Sequence, residues 1–169
     1  MATGTQITKV VSLFFGPIRK DVEEKMNGRP MSWAEVKDMD SDNDKYHKEK
    51  GPDGERGDLL PEIYANDVKS WLSKDDRGSL LLVSSHQSLC VALKDHKIAF
   101  TPVMPEEAGL PAWRTMSEKN PQYTKYEDRI PNWYTEKKKW CEQKGVAISY
   151  VPMARCNSLG LIEHLNSLK

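Results

Sequence analysis

Residues 75–104 read DDRGSLLLVSSHQSLCVALKDHKIAFTPVM, and they decide the fold class. After Gly78, the apolar residues Leu80, Leu81, Leu82 and Val83 make a buried strand over 80–84. Residues 87–95 follow as a short amphipathic helix, with Leu89, Val91, Ala92 and Leu93 apolar. A second strand covers 98–104 and is stopped by Pro105. Strand, helix and strand at this spacing form the repeating unit of a parallel sheet, whose strands need a crossover between them. Small molecules bind such sheets at the carboxyl ends of the strands. The first strand ends in Ser84-Ser85-His86, so these residues mark where chemistry would sit.

Upstream, residues 7–15 (ITKVVSLFF) are β-rich and apolar on both faces, as a central strand must be. Gly16-Pro17 bounds them, and a short helix over 18–26 ends at Asn27-Gly28. In 33–39, Trp33, Val36 and Met39 fit a helical spacing, but a strand ending at Met39 fits the sheet and is the reading adopted. Residues 40–58, DSDNDKYHKEKGPDGERGD, are polar and rich in Gly and Asp, which predicts a mobile loop. Residues 60–72 form an amphipathic helix with Leu60, Tyr64, Val68 and Trp71 on one stripe, Pro61 in its first turn and Asp58 as a cap.

Downstream, residues 106–145 form a long insertion that holds three of the five tryptophans, Trp113, Trp133 and Trp140. It also carries Arg114, Lys119, Lys125, Arg129 and the run Lys137-Lys138-Lys139. Pro111, Pro121 and Pro131 are expected to cut it into short helices. A last strand over 146–151 and a helix over 159–168 close the chain. There is no internal repeat. The order predicts a single α/β domain over 1–169, a three-layer α/β/α sandwich with a mostly parallel sheet and right-handed crossovers.

The chain has 169 residues, long enough to bury about 70% of its unfolded surface. Lys plus Arg is 25 and Asp plus Glu is 25, so no net field draws nucleic acid or membrane. Cys90, Cys141 and Cys156 are an odd number without CxxC spacing, which reads as free thiols in a reducing compartment. No signal peptide and no apolar run near 18 residues is visible, so a soluble cytoplasmic protein is expected.

Several strings, in order, resemble small phage and virus nucleotide-kinase-like proteins of the P-loop NTPase fold. They are Asp40-Ser41-Asp42, Pro61-Glu62-Ile63-Tyr64, Val83-Ser84-Ser85-His86 and Thr101-Pro102-Val103-Met104-Pro105, followed by a lid-like segment with Arg114 and Asn132-Trp133. The resemblance runs from about Val10 onward. It implies a nucleotide ligand such as ATP, Mg²⁺, and phosphoryl transfer to a nucleoside monophosphate or similar small acceptor. It also implies host cytoplasm if the source is viral.

The phosphate loop departs from that family. A P-loop reads GxxxxGK[ST], with backbone N–H groups cradling phosphate, the Lys on the β and γ phosphates and the hydroxyl on Mg²⁺. Here the stretch is Phe14-Phe15-Gly16-Pro17-Ile18-Arg19-Lys20-Asp21. Lys20 matches the Lys, but Phe14 and Arg19 replace the glycines, Asp21 replaces the hydroxyl, and Pro17 lacks an N–H. Ordinary P-loop binding of ATP is therefore not expected. A rebuilt loop, with Gly16 and the Arg19 and Lys20 charge clamps, can still hold an anion.

Each candidate has a plainer use. Arg19 and Lys20 are phosphate ligands or a solvated basic pair. Asp40 and Asp42 hold Mg²⁺ or orient a hydroxyl, or they simply open a loop. Ser84, Ser85 and His86 bind phosphate or base, or Ser85 only caps the helix. A Ser–His nucleophilic pair is not expected from residues so near in sequence. Lid residues Arg114, Lys119, Lys125 and Arg129 neutralise phosphoryl charge or form a solvated face. His47, His96, His164 and Lys137 to Lys139 read as surface, and Trp133 with Trp140 as core packing.

Two function classes follow. One is a nucleotide-binding protein of the kinase kind, with Lys20, Asp40, Asp42 and Arg114 as catalytic residues. The other is an inactive kinase-like scaffold that sequesters a nucleotide-like ligand or docks onto a protein partner.

Overall fold

The structure is a computed structural model, and it describes residues 7–14, 18–28, 31–39, 44–49, 52, 57–75, 77–117 and 127–168. Five strands form one sheet: β1 (Lys9–Leu13), β2 (Val36–Asp38), β3 (Leu80–Val83), β4 (Thr101–Pro105) and β5 (Ser149–Val151). Their spatial order is β2-β3-β1-β4-β5, and every pairing is parallel. The helices are α1 (Arg19–Asn27), α2 (Pro61–Lys74), α3 (Gln87–Asp95), α4 (Leu110–Ser117), α5 (Ile130–Lys144) and α6 (Ser158–Ser167). The decisive stretch keeps its strand–helix–strand order, with the helix at Gln87–Asp95, but its second strand begins at Thr101 rather than 98 and runs through Pro105, which pairs with Val151 instead of stopping it.

Helices cover both faces. Val11, Leu13, Val36, Leu80 and Leu82 pack with Val22 and Met26 of α1 and Leu161 and Leu165 of α6. Val10, Leu81 and Val83 pack with Tyr64 and Val68 of α2 and Leu89 and Leu93 of α3. The alternation along β1 and β3 thus feeds two cores, as expected for strands buried on both sides. β1 lies at the centre, between β3 and β4.

The outer edge of β2 is closed by side chains of α1. The Asn27 amide pairs with the N–H and C=O of Val36, at 3.0 and 2.8 Å. One turn earlier, the Glu23 carboxylate accepts from the Asp38 N–H. These contacts remove an edge on which another strand could pair.

Several expectations are corrected. The polar stretch after β2 is anchored within its described part. Tyr46 lies in a 3-10 turn (Asp44–Tyr46), is buried, and stacks on Tyr64 with ring centroids 4.1 Å apart. An antiparallel bridge joins His47 to Leu59. Asp58 does not cap α2: the helix starts at Pro61, the cap position falls to Leu60, and no side chain caps it, while the Asp58 carbonyl accepts from Lys48 N–H at 2.8 Å. Pro111 and Pro131 divide the insertion into separate helices as expected, each sitting in a first turn, of α4 and of α5, where a missing N–H costs nothing. Pro121 lies outside the described residues. Gly145 ends α5 in the left-handed conformation, at φ 68°. Trp133 is 36% exposed, so it is not core, and the buried stripe of α5 is Ile130, Tyr134, Lys137 and Cys141.

Two groups set an acid response. His164 is half-buried and bonded to Ser149 at 2.8 Å, not a surface residue. Burial, with Arg155 nearby, lowers its pKa from the ordinary 6.5. The fold therefore favours its neutral form, while the unfolded chain protonates it below its ordinary 6.5. Burial alone would raise Asp75, but hydrogen bonds from Thr8, Ser79 and Arg77 hold it down at about 2. The stability Asp75 contributes is present above its ordinary 3.8 and is lost as pH falls through about 2. Thermal melts across pH should show a first loss below 6.5, absent in His164→Gln, and a second below 3.8, smaller in Asp75→Asn, where Asp67, raised by burial but held low by Lys45 and Tyr46, still contributes.

Candidate functional site

The sheet has a switch point at its centre. The helix after β1 lies on one face, whereas the helix after its neighbour β3 lies on the other. Chains that leave adjacent strands in opposite directions open a crevice at the carboxyl ends, where ligands of such folds sit. The residues bordering it come from the end of β1, the start of α1 and the turn from β3 into α3.

Ser84 is the hub of that turn. Its N–H donates to the Tyr64 hydroxyl at 3.0 Å, and its carbonyl accepts from the Ser12 hydroxyl at 3.2 Å. Its Oγ accepts from the His86 N–H at 3.1 Å and also meets His86 Nδ1. The Ser–His contact not expected from sequence is thus present, made by the tight turn between strand and helix. Ser84 is only 1% exposed, so it orients His86 rather than meeting a substrate. His86 is exposed, with Nδ1 turned back onto the serine. Ser85 does not cap α3: it is half-buried, the cap position is His86, and no side chain caps the first turn, since the Ser84 hydroxyl accepts from the His86 N–H.

On the other strand of the switch, Arg19 and Lys20 open α1, whose first turn has no side-chain cap. Arg19 is 6% exposed, and its Nε donates to Asp38 Oδ1 at 3.3 Å. Lys20 is half-buried, with Nζ 3.9 Å from Glu23. Asp38 was missed in the sequence reading, which looked two and four residues later. Its signal was an acid at an inward strand position, because Val36 and Asp38 are buried while Lys37 between them is exposed.

The insertion packs over the same edge. Trp113 is fully buried, and its Nε1–H donates to the Phe14 carbonyl at 3.1 Å. The Tyr134 hydroxyl donates to the Pro105 carbonyl at 2.7 Å, and its ring meets Phe14 edge-on at 5.7 Å. Burial, with Tyr150 and Glu107 nearby, pushes the Tyr134 pKa up to about 12, so it stays a donor. Arg114 is half-buried on α4, and Arg129 is exposed just before α5. Gly16, Asp40, Asp42, Lys119 and Lys125 lie outside the described residues.

Lys137 departs furthest from expectation. It is 5% exposed, not a surface residue, and its Nζ donates to Cys90 Sγ at 3.1 Å. Cys90 Sγ lies 3.7 Å from Ser12 Oγ, which in turn reaches the Ser84 carbonyl. One turn along α5, burial pushes the Cys141 thiol up to about 11 against the pull of the Lys137 charge. All three cysteines are buried and unbridged.

Among the described residues there is no cluster of His, Cys, Asp and Glu fit to hold a metal, and no helix long and apolar enough to cross a membrane. No protein-family model matches the chain, and a search of curated proteins returns no match.

Proposed function

We propose that this protein binds a nucleotide, or a ligand with nucleotide-like phosphates, at the carboxyl edge of β1 and β3. The observation that supports this most is the switch point there, bordered by basic residues on one side and Ser85 and His86 on the other. The uncapped first turn of α1 and Lys20 offer N–H groups and a cation to phosphate. Ser85 and His86 offer polar groups to the remainder of the ligand. Arg114, from the insertion, is the residue proposed to neutralise a transferring phosphoryl group.

The kinase reading adds transfer from a nucleoside triphosphate to a nucleoside monophosphate or similar acceptor. Its Mg²⁺ would be held by Asp40 and Asp42. Asp38, the described acid at the end of β2, is engaged by Arg19 and does not serve that purpose. One observation favours the second reading, a binder without transfer. Arg19, proposed as a phosphate clamp, is buried against Asp38.

A thermal-shift screen of nucleotides with and without Mg²⁺ tests the proposal. A ligand at about 100 times its dissociation constant adds about 2.7 kcal/mol of stability. Lys20→Ala should weaken that ligand by about 1.5–3 kcal/mol, the worth of one charge-assisted contact. It should move the unliganded protein by no more than about 0.5 kcal/mol, since its pair with Glu23 is half exposed. A flat screen would remove the proposal, and a shift without Mg²⁺-dependent transfer would select the binder.

A further inference from the structure

We infer that Lys137 is an anion-binding residue of this same edge, resting on the Cys90 sulfur until a phosphate-bearing ligand takes its ammonium. The inference rests on the proposed ligand edge and adds a residue to it from α5.

The first ground is cost. Lysine is almost never fully buried without a good partner. Lys137 occupies an inward position of α5, in a stripe where its neighbours Ile130, Tyr134 and Cys141 pack. A methionine or leucine would fill that place without desolvating a charge. The second ground is the partner. An ammonium has three donors, and a thiol is a weak acceptor. Among the described residues, Cys90 Sγ is the hydrogen-bond partner of Lys137, and no carboxylate lies in ion-pairing range. The pairing is thus too poor to account for keeping a lysine there as a structural element.

The third ground is position. Cys90 lies in the opening turn of α3, where its N–H bonds the His86 carbonyl at 3.1 Å. Through Cys90 and Ser12, the ammonium is linked to the Ser84 carbonyl at the end of β3. A four-carbon stem lets the charge leave a soft sulfur for a hard oxyanion without moving the helix. Phosphate is the fitting ligand class, because several oxygens can take the donors that sulfur leaves unmet. Buried polar groups that break the local packing rule are commonly functional, and they are retained at a cost in stability.

That trade gives the test a distinctive sign. Wild type and Lys137→Met, as full chains, are melted alone and with inorganic pyrophosphate or a nucleoside triphosphate. The variant should melt at the same or a higher temperature unliganded. It should bind the anions at least roughly tenfold more weakly. A variant that fails to fold or melts lower makes Lys137 structural and overturns the inference. Unchanged affinity overturns it too, while leaving the nucleotide reading intact. A Lys137-dependent shift with pyrophosphate but with no nucleotide would uphold the inference and defeat the nucleotide reading. No shift in wild type with either anion overturns both.

Discussion

Trp113→Ala should destabilise the protein by about 3–5 kcal/mol, the usual cost of deleting a large buried aromatic. The indole is fully buried among the residues that join the insertion to the end of β1. Its N–H also satisfies the Phe14 carbonyl, so alanine leaves both a cavity and an unpaired acceptor. Trp113→Phe separates the two effects. It keeps most of the ring volume and should lose only about 1–3 kcal/mol, the penalty for one unsatisfied group. Urea denaturation measures both variants. A loss below about 1 kcal/mol for alanine would mean that α4 does not pack against the sheet as described.

Arg19→Ala should cost about as much, about 3–5 kcal/mol, for an electrostatic reason. The guanidinium and the Asp38 carboxylate face each other in the interior, with side chains 8% and 1% exposed. Removing the arginine takes the guanidinium away from a buried carboxylate. Replacing both partners, Arg19→Met with Asp38→Leu, should be near neutral or stabilising, because an apolar pair of similar volume avoids both desolvation costs. The double variant also tests the ligand role on a folded background. If it keeps the nucleotide shift, Arg19 is structural; if the shift vanishes, Arg19 contacts phosphate.

Much of this fold is legible in the sequence because its strands are buried on both faces. Runs such as Leu80 to Val83, bounded by Gly78 and the serines, leave little choice. The helix ends were harder, because caps depend on contacts across the chain. Asp58 reads as a cap for α2, but the helix starts at Pro61 and puts Leu60 at the cap, a boundary only the fold reveals. Tyr46 reads as one aromatic in a polar loop, but stacking on Tyr64 draws it inside.

The site was less legible, and for a definite reason. Composition places lysines and acids outside, so Lys137 in a basic run reads as surface, and Asp38 beside Lys37 draws no reading of its own. What buries them is the side of the element they fall on. Asp38 shares its face with Val36, opposite α1. Lys137 follows Ile130 and Tyr134 at the spacing that turns one stripe of α5 inward, while Trp133 lies off that stripe. The Ser84–His86 contact was missed because separation along the chain is a poor guide at a strand-to-helix turn. Ser84-Ser85-His86 falls at the switch between β1 and β3.

The most direct test of that placement is residue-resolved. Backbone amide shifts would be followed by NMR while a nucleoside triphosphate with Mg²⁺ is titrated into the labelled protein. The account predicts saturable changes concentrated at Arg19 and Lys20, Ser84 to His86, and Lys137. Saturable changes confined to the opposite edge, around Asp75 and Arg77, or no saturable change at all, would contradict it.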